Sequence, residues 1–420
     1  LHKRPNQDRV VITGLGTINP LGHSVSETWG NLVKGVSGID YVTAFNRADF
    51  PIRFAGEVKG FDPTLYQTAK EARRMARCSQ FATATAIQAV EDAGLPRPFP
   101  DDLAERCGVL LGTAMGGFEK AEQGLRVYIT QGLNKVSPFS LPAALPNLST
   151  FHVCIKLNAQ GYSNTTATAC ASGTIALTEA AEVIRRGRCD IMVAGGTDAV
   201  LTEGTLLGFV IMRALSTRND DPAHACRPFD AKRDGFVVGE GSAMFVLERL
   251  SHALARNAHI YAELLGGGQS SDTYHQATPD PEARGAIRAM KWALEDAGVG
   301  LAEIDYINAH GASTPLGDLS ETKAIKTLFA EQAYKIPISS TKSMTGHLFG
   351  AAGAIEALAC VKTIETGIIH PTINYQFPDP FCDLDIVPNQ ARQQTVNVTL
   401  SNSFGLGGQN ACVVLGKFMP

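Results

Sequence analysis

The chain has 420 residues, 44% of them hydrophobic and 19% charged, with Lys+Arg 37 against Asp+Glu 41 and a formal net charge of -4. This is ordinary globular composition, long enough to bury a core without disulfides or a metal and to form two or three domains. The near balance of charge excludes a general nucleic-acid binder, whose footprint is an overall basic excess, so any electrostatic docking must be local.

The nine cysteines (Cys78, Cys107, Cys154, Cys170, Cys189, Cys226, Cys360, Cys382 and Cys412) are scattered without metal-ligand spacing. That pattern predicts a reduced protein with neither a disulfide framework nor a metal centre. Residues 1–9 lack the apolar core of a secretory signal, and the longest apolar run, residues 206–212, is too short to span a bilayer. A cytoplasmic protein is expected, or an organellar one after removal of a transit peptide.

In chain order, residues 9–14, 107–112 and 190–196 are β-branched runs closing on glycine, which predict buried strands ending in tight turns. Residues 70–93 and 172–186 are Ala-rich, stop at Gly94 and Gly187, and predict helices. On the first of these, Lys70, Arg73, Arg74 and Arg77 fall at i, i+3, i+4 and i+7, one basic helix face in an acidic chain. The alternation of strands and helices implies an α/β fold.

The sequence also repeats itself. Ala89-Val-Glu-Asp-Ala-Gly-Leu95 reappears as Ala293-Leu-Glu-Asp-Ala-Gly-Val299. The segments after each copy correspond in the same order: Gly108-Val-Leu-Leu-Gly-Thr with Ile304-Asp-Tyr-Ile-Asn-Ala, Cys170-Ala-Ser-Gly-Thr-Ile-Ala with His347-Leu-Phe-Gly-Ala-Ala-Gly, and Gly241-Ser-Ala-Met-Phe-Val-Leu with Asn410-Ala-Cys-Val-Val-Leu-Gly. Two copies of one α/β unit are expected, residues 1–255 and 256–420. Extra material in the first copy, at residues 113–160 and 199–236, is expected to form loops, substrate walls or subunit contacts.

Cys170 follows a β-branched strand and precedes a helix, so it sits at or just before a helix N-terminus. Unpaired N–H groups and the helix dipole there favour thiolate and are expected to lower its pKa. His310 leaves the tip of the apolar strand around Tyr306, and His347 opens the Gly/Ala-rich segment that the repeat aligns with the cysteine. Pseudo-symmetry would bring these helix starts together as a Cys/His/His site. Lys342 lies in a Ser/Thr-rich turn before His347, and Glu356 on the following helix is its expected counter-charge. The glycine burst at residues 402–410 enters a strand and lacks a following Lys, so it reads as a loop offering N–H groups to an oxyanion rather than a phosphate loop.

Taken together, Ala169-Cys-Ala-Ser, Arg227-Pro-Phe-Asp, Arg233-Asp-Gly-Phe, Asn308-Ala-His-Gly, Thr341-Lys-Ser-Met-Thr-Gly-His-Leu and Asn402-Ser-Phe-Gly resemble the elongating, type II β-ketoacyl-[acyl-carrier-protein] synthases of the thiolase-like superfamily. The resemblance implies a five-layered core of duplicated αβαβα units and a homodimer. It implies that Cys170 takes an acyl chain from a carrier phosphopantetheine thioester, with the N–H groups of Cys170 and Phe404 as oxyanion hole. His310 and His347 would bind the malonyl thioester and assist decarboxylation, for which neutral imidazoles must present N–H to oxygen. Lys342 would organise the site with Glu356, itself also expected among the substrate-binding residues, Phe404 would gate it, Phe209 would line the acyl pocket, and Thr278 and Thr314 would meet pantetheine. No cofactor is required, apart from an optional structural monovalent cation near Asn308 and Glu356. The partner is an acyl carrier protein, and because carriers are acidic, Lys70, Arg73, Arg74 and Arg213 are expected to dock it.

The chain departs from the family pattern in several places. Ala312 and Ala277 stand where hydroxyl residues usually face pantetheine, Leu406 and Gln409 replace the usual Phe and Thr of the gate loop, and Tyr162 replaces a usual Pro. These changes keep open a ketosynthase of a polyketide or other specialised acyl pathway. A degradative thiolase would need a second cysteine where Phe404 stands, initiating synthases pair His with Asn rather than His347, and a non-catalytic chain-length partner would lack the nucleophile.

Overall fold

The computed structural model describes residues 4–45 and 50–420. Ten strands form one sheet: β1 Val10–Ile18, β2 Cys107–Gly112, β3 Ser163–Thr166, β4 Ile191–Asp198, β5 Gly241–Arg249, β6 Ala262–Ser271, β7 Tyr306–Asn308, β8 Ile338–Ser339, β9 Val398–Phe404 and β10 Gln409–Gly416. Their spatial order is β8-β7-β9-β10-β6-β1-β5-β4-β2-β3. Within each half the strands run third, second, fourth, fifth, first, with the same pattern of parallel and antiparallel pairs. Among the described residues the two half-sheets are joined through β1 and β6, where Val11 and Ile12 pair with Glu263 and Ala262. The expected duplication is therefore present in the topology.

Besides the helix Val25–Lys34 and several shorter ones, eight helices complete the layers: α1 Arg77–Asp92, α2 Phe118–Gln131, α3 Leu148–Leu157, α4 Ser172–Arg185, α5 Glu203–Ile211, α6 Arg284–Ala297, α7 Pro315–Phe329 and α8 Ala352–Thr366. Helices α4 and α8 pack on one another and touch strands of both half-sheets, while α1 with α3 covers one outer face and α6 with α7 the other. This is the five-layered arrangement. Alanine-rich faces allow it: α8 is buried from Ala352 through Val361, and small side chains let helix and strand backbones close up. Corresponding glycines serve both halves, since a Cβ on Gly16 would lie 2.1 Å from Thr85 O of α1, and one on Gly268 would lie 2.2 Å from Ala289 O of α6. Among the described residues no helix is long and apolar enough to cross a membrane.

Two expectations change. The stretch 70–93 is not one helix, because Met75 and Ala76 are extended and buried, separating a short helix Ala69–Arg74 from α1. Both side chains are buried, Ala76 in the core beside Phe81, a packing gain that outweighs continued helix. The repeat register also shifts. Ala169 and Phe349 both have left-handed backbone (φ 51 and φ 50) and both open a short 3-10 turn before α4 and α8. Gly350, not His347, is thus the counterpart of Cys170, and His347 lies before the turn that leads into α8.

The central layer leaves no spare room at Gly196 on β4, where a Cβ would lie 2.2 Å from Gly350 O. Backbone cannot move aside as a flexible side chain does. Gly196→Ala is expected to lower the unfolding free energy by about 1–3 kcal/mol, read as a lower denaturant midpoint. An unchanged midpoint would show that the two halves are not held rigidly at this contact.

Candidate active site

Each half contributes one side of the site. Cys170 lies in the 3-10 turn Ala169–Ala171 that leads into α4, and its side chain is 9% exposed. His310 follows the end of β7, where Glu321 of α7 fixes the turn: its carboxylate accepts from the His310 N–H at 2.8 Å, the Gly311 N–H at 2.7 Å and Asn402 Nδ2 at 3.1 Å. His347 is held by Val237, whose carbonyl accepts the His347 N–H at 2.7 Å.

The hydrogen bonds on the imidazoles fix their tautomers. His347 Nδ1 accepts from the Phe349 N–H at 3.2 Å, so its proton is on Nε2, which lies 3.0 Å from Cys170 Sγ. His310 Nδ1 accepts from the Phe404 N–H at 3.3 Å and faces Lys342 Nζ at 3.4 Å, which puts its proton on Nε2 as well. The two rings stand 5.4 Å apart, nearly perpendicular. Burial first, and the Lys342 cation second, push both histidines well below the ordinary range, so both are neutral donors at physiological pH.

Lys342 and Glu356 form a buried ion pair behind His310, each 1% exposed, and Lys342 Nζ also donates to His310 O at 2.5 Å. Neither residue reaches the cavity. Glu356 is therefore not a substrate contact as the sequence suggested, because its carboxylate is spent on the ammonium inside the protein. Lys342 contacts His310 and does not line the cavity. Among the described residues Asn308 Oδ1, Glu356 Oε2 and Ser401 Oγ are buried with no partner at full hydrogen-bond geometry, although Ser403 lies near Glu356 and Cys360 near Ser401, and Ser401 pairs in register with Asn308 across β7 and β9. Oxygen donors of this kind fit a hard monovalent cation. Among the described residues, no three His, Cys, Asp or Glu side chains cluster as a metal site.

The thiol does not behave as the helix start suggested. Burial pushes Cys170 up to about 11, against the smaller opposing pulls of the Leu406 N–H and the Lys342 cation. The cysteine precedes α4 inside a 3-10 turn and is nearly dry, so desolvation wins. The gate loop differs too. The Phe404 N–H assigned to an oxyanion hole is donated to His310 Nδ1, and the loop amide that meets the sulfur is that of Leu406. A tight turn causes this, with the Gly405 N–H donating to Gln409 O and the Gly407 N–H to Gln276 O.

A cavity of about 580 Å³ opens onto Cys170, His310, His347 and Phe404. Phe209, Thr278 and Thr314 line it, together with Ala277 and Ala312. Thr314 also caps α7, its Oγ1 accepting the Gly317 N–H at 3.2 Å. Farther out, Lys70, Arg73 and Arg74 are exposed on the short helix, and Arg213 is exposed beside the cavity-lining Met212. Arg77 leaves the expected basic face: it lies on α1, bonded to buried Glu240 at 2.7 Å. Sequence reasoning did not single out Glu321, Asp198 or Phe236. Asp198 ends a glycine-rich strand and accepts from Thr113 Oγ1, the Ala114 N–H and the Gly350 N–H, and a carboxylate at the end of so apolar a strand was the available signal.

Comparison with known proteins agrees with this architecture. The family described as Beta-ketoacyl synthase, N-terminal domain matches residues 7–253, and Beta-ketoacyl synthase, C-terminal domain matches residues 261–376. The 3-oxoacyl-[acyl-carrier-protein] synthase 2 of Staphylococcus aureus (strain N315) is 47% identical over 410 residues, 98% of each chain. That of Synechocystis sp. is 47% identical over the same shares. Among solved structures, the ishigamide ketosynthase/chain length factor superposes with a TM-score of 0.91 at 37% identity, covering 98% of this chain and 99% of that one. A type II PKS acyl-carrier protein in complex with its ketosynthase bound to the hexaketide gives 0.90 at 36%, with the same coverage. With both domains matched in order and full-length relatives at this identity, the chain belongs to the beta-ketoacyl synthase family.

Proposed function

We propose that the protein condenses an acyl chain held on Cys170 with malonyl-[acyl carrier protein], releasing carbon dioxide and 3-oxoacyl-[acyl carrier protein], as in fatty acid elongation. The observation that carries this reading is the pair of neutral imidazoles presenting Nε2–H toward one apolar cavity, with Cys170 Sγ 3.0 Å from His347 Nε2. First, Cys170 sulfur attacks the carrier thioester; the new carbon–sulfur bond forms as the carrier thiol leaves with the proton. A malonyl thioester then enters, and its carbonyl oxygen accepts from both Nε2–H groups. Loss of carbon dioxide leaves an enolate that those two donors stabilise. Its carbon attacks the acyl-Cys170 carbonyl, and the cysteine sulfur departs. Lys342 keeps His310 Nδ1 an acceptor and both rings neutral. A monovalent cation held by Asn308, Glu356 and Ser401 would supply a fixed positive charge there and satisfy their free oxygens. No other cofactor is needed for these steps.

Resemblance to polyketide ketosynthases of known structure, with Ala312, Leu406 and Gln409, supports a specialised acyl pathway as the second reading. The higher identity to 3-oxoacyl-[acyl-carrier-protein] synthase 2 favours elongation. The homodimer is also our proposal. Strand β3 ends the sheet and is exposed or half-exposed along its length, and the nearby helices of the first insertion present Ile129, Leu141 and Ile155, each more than 60% exposed.

Three experiments test these statements. Incubation with acyl carrier and intact-mass spectrometry should show an acyl adduct on the wild type and none on Cys170→Ala, with added malonyl carrier converting the adduct to 3-oxoacyl product. A wild type that takes no acyl mass from any chain length would end the condensing assignment. For the resting thiol, alkylation by iodoacetamide should rise about tenfold per pH unit, without levelling before the thiol's pKa of about 11; a plateau near neutral pH would mean that thiolate is stabilised at rest. For docking, reversing Arg73 and Arg74 to Glu should raise KM for carrier-bound substrate about tenfold at low salt while sparing a small acyl thioester. Equal loss with both substrates would remove this face from carrier binding.

A further inference from the structure

The cavity wall beside the nucleophile is made of aromatic rings. Phe349 lines it, 4% exposed. Its ring lies nearly parallel to that of His347, with centroids 5.1 Å apart, and is stacked on Phe209 at 5.4 Å. Phe236 stands edge-on to all three, at 5.6 Å from His347, 5.3 Å from Phe209 and 5.9 Å from Phe349. One ring thus joins the catalytic imidazole to the apolar side of the cavity.

The backbone beneath that ring is unfavourable for it. Phe349 has φ 50, in the left-handed region that bulky side chains rarely occupy. Its counterpart in the other half, Ala169, carries a bare methyl there, and glycine would fit either position without strain. The turn is pinned on both sides of the ring, by the Phe349 N–H on His347 Nδ1 at 3.2 Å and the Gly350 N–H on Asp198 Oδ2 at 2.7 Å. The backbone that carries the ring cannot shift without breaking its hydrogen bond to His347. A side chain kept in a strained conformation points to what that side chain touches.

We propose that Phe349 sets the length of the acyl chain that Cys170 accepts, and that the same ring seats His347 for condensation. This rests on the ketosynthase reading above. A chain on Cys170 must run along this wall, and the ring fills space that about four methylenes would otherwise take. Each methylene buried in a dry wall changes preference by about fourfold, so two extra carbons shift loading by about fifteenfold.

The test offers even-numbered saturated acyl chains, short to long, on carrier protein in equimolar mixture and reads the Cys170 adducts by intact mass. Phe349→Gly relieves the backbone strain while removing the ring. It should move the most-loaded chain about two to four carbons longer. Phe349→Leu should move it less in the same direction, and Phe349→Trp should move it shorter. Condensation by Phe349→Gly on a chain that all variants load should fall in kcat more than in KM for malonyl carrier, because His347 loses its stacked ring. Superimposed length profiles for wild type, Leu and Gly variants, with Cys170 still loading, would overturn the proposal. Failure of the wild type to load at all would instead strike the ketosynthase reading.

Discussion

The site is assembled from two halves of a duplicated fold, and one carboxylate fixes their relation. Asp198, at the end of β4, accepts from Thr113 Oγ1 at 2.8 Å and the Ala114 N–H at 2.7 Å in its own half, and from the Gly350 N–H at 2.7 Å across the pseudo-symmetric boundary. Those three donors belong to the segments that carry the cavity wall at Ala114 and Met115 and the turn after His347. Burial pushes its carboxyl up to about 6, yet the donors hold it as an acceptor that two chain segments, one from each half, share. Losing any one donor would leave a charge dry and underpaired, which is why the contact behaves as a rivet. The close approach of Gly196 to the same Gly350 backbone leaves no slack beside it.

Given that frame, desolvation governs the chemistry more than any single charge. The same dryness that raises the Cys170 thiol depresses His310 and His347, so all three groups rest neutral. A cation next to two imidazoles would waste their donor role if they took up protons. Here Lys342 is spent on Glu356 and on the His310 carbonyl, and its field keeps the rings deprotonated at Nδ1. The Phe349 and Phe404 amides complete the selection of tautomer by donating to the two Nδ1 atoms. Backbone therefore decides which nitrogen is left free to donate into the cavity, and the ion pair helps keep the ring neutral.

Much of this was legible in the sequence, for identifiable reasons. The repeated Glu-Asp-Ala-Gly segments are the C-terminal ends of α1 and α6, and their periodicity and closing glycines revealed the duplication before any contact was known. Cys170, His310 and His347 were visible because each breaks from a strand or opens a turn, where reactive groups are carried. Register was harder. The copies around Cys170 and His347 share small residues, and only the matching left-handed backbones of Ala169 and Phe349 show that Gly350 is the true counterpart. The basic face failed at Arg77 because helical spacing says nothing about whether Met75 and Ala76 prefer the core. The thiol expectation failed because helix position can be read from sequence, whereas depth of burial cannot. Glu356 was read as a substrate contact for the same reason: a carboxylate near an active site looks alike whether it faces the cavity or the ammonium behind it.

Duplication gave two equivalent helix starts, and the chain uses them unequally. In the first half the left-handed residue is Ala169, small enough to leave the following sulfur open to a thioester. In the second it is Phe349, followed by Gly350, whose missing side chain lets Asp198 and Gly196 come close. Exchanging the two sets would defeat both: a ring at 169 would crowd the nucleophile, and a side chain at 350 would meet the Ala114 N–H at 2.5 Å and the Asp198 carboxylate at the same distance. The reactive atom thus belongs to the half whose turn is open, and the imidazole with its aromatic support to the half whose turn is filled. The asymmetry of side chains on a symmetric backbone is what gives a repeated scaffold a single cavity with imidazole donors from one half and a thiol from the other.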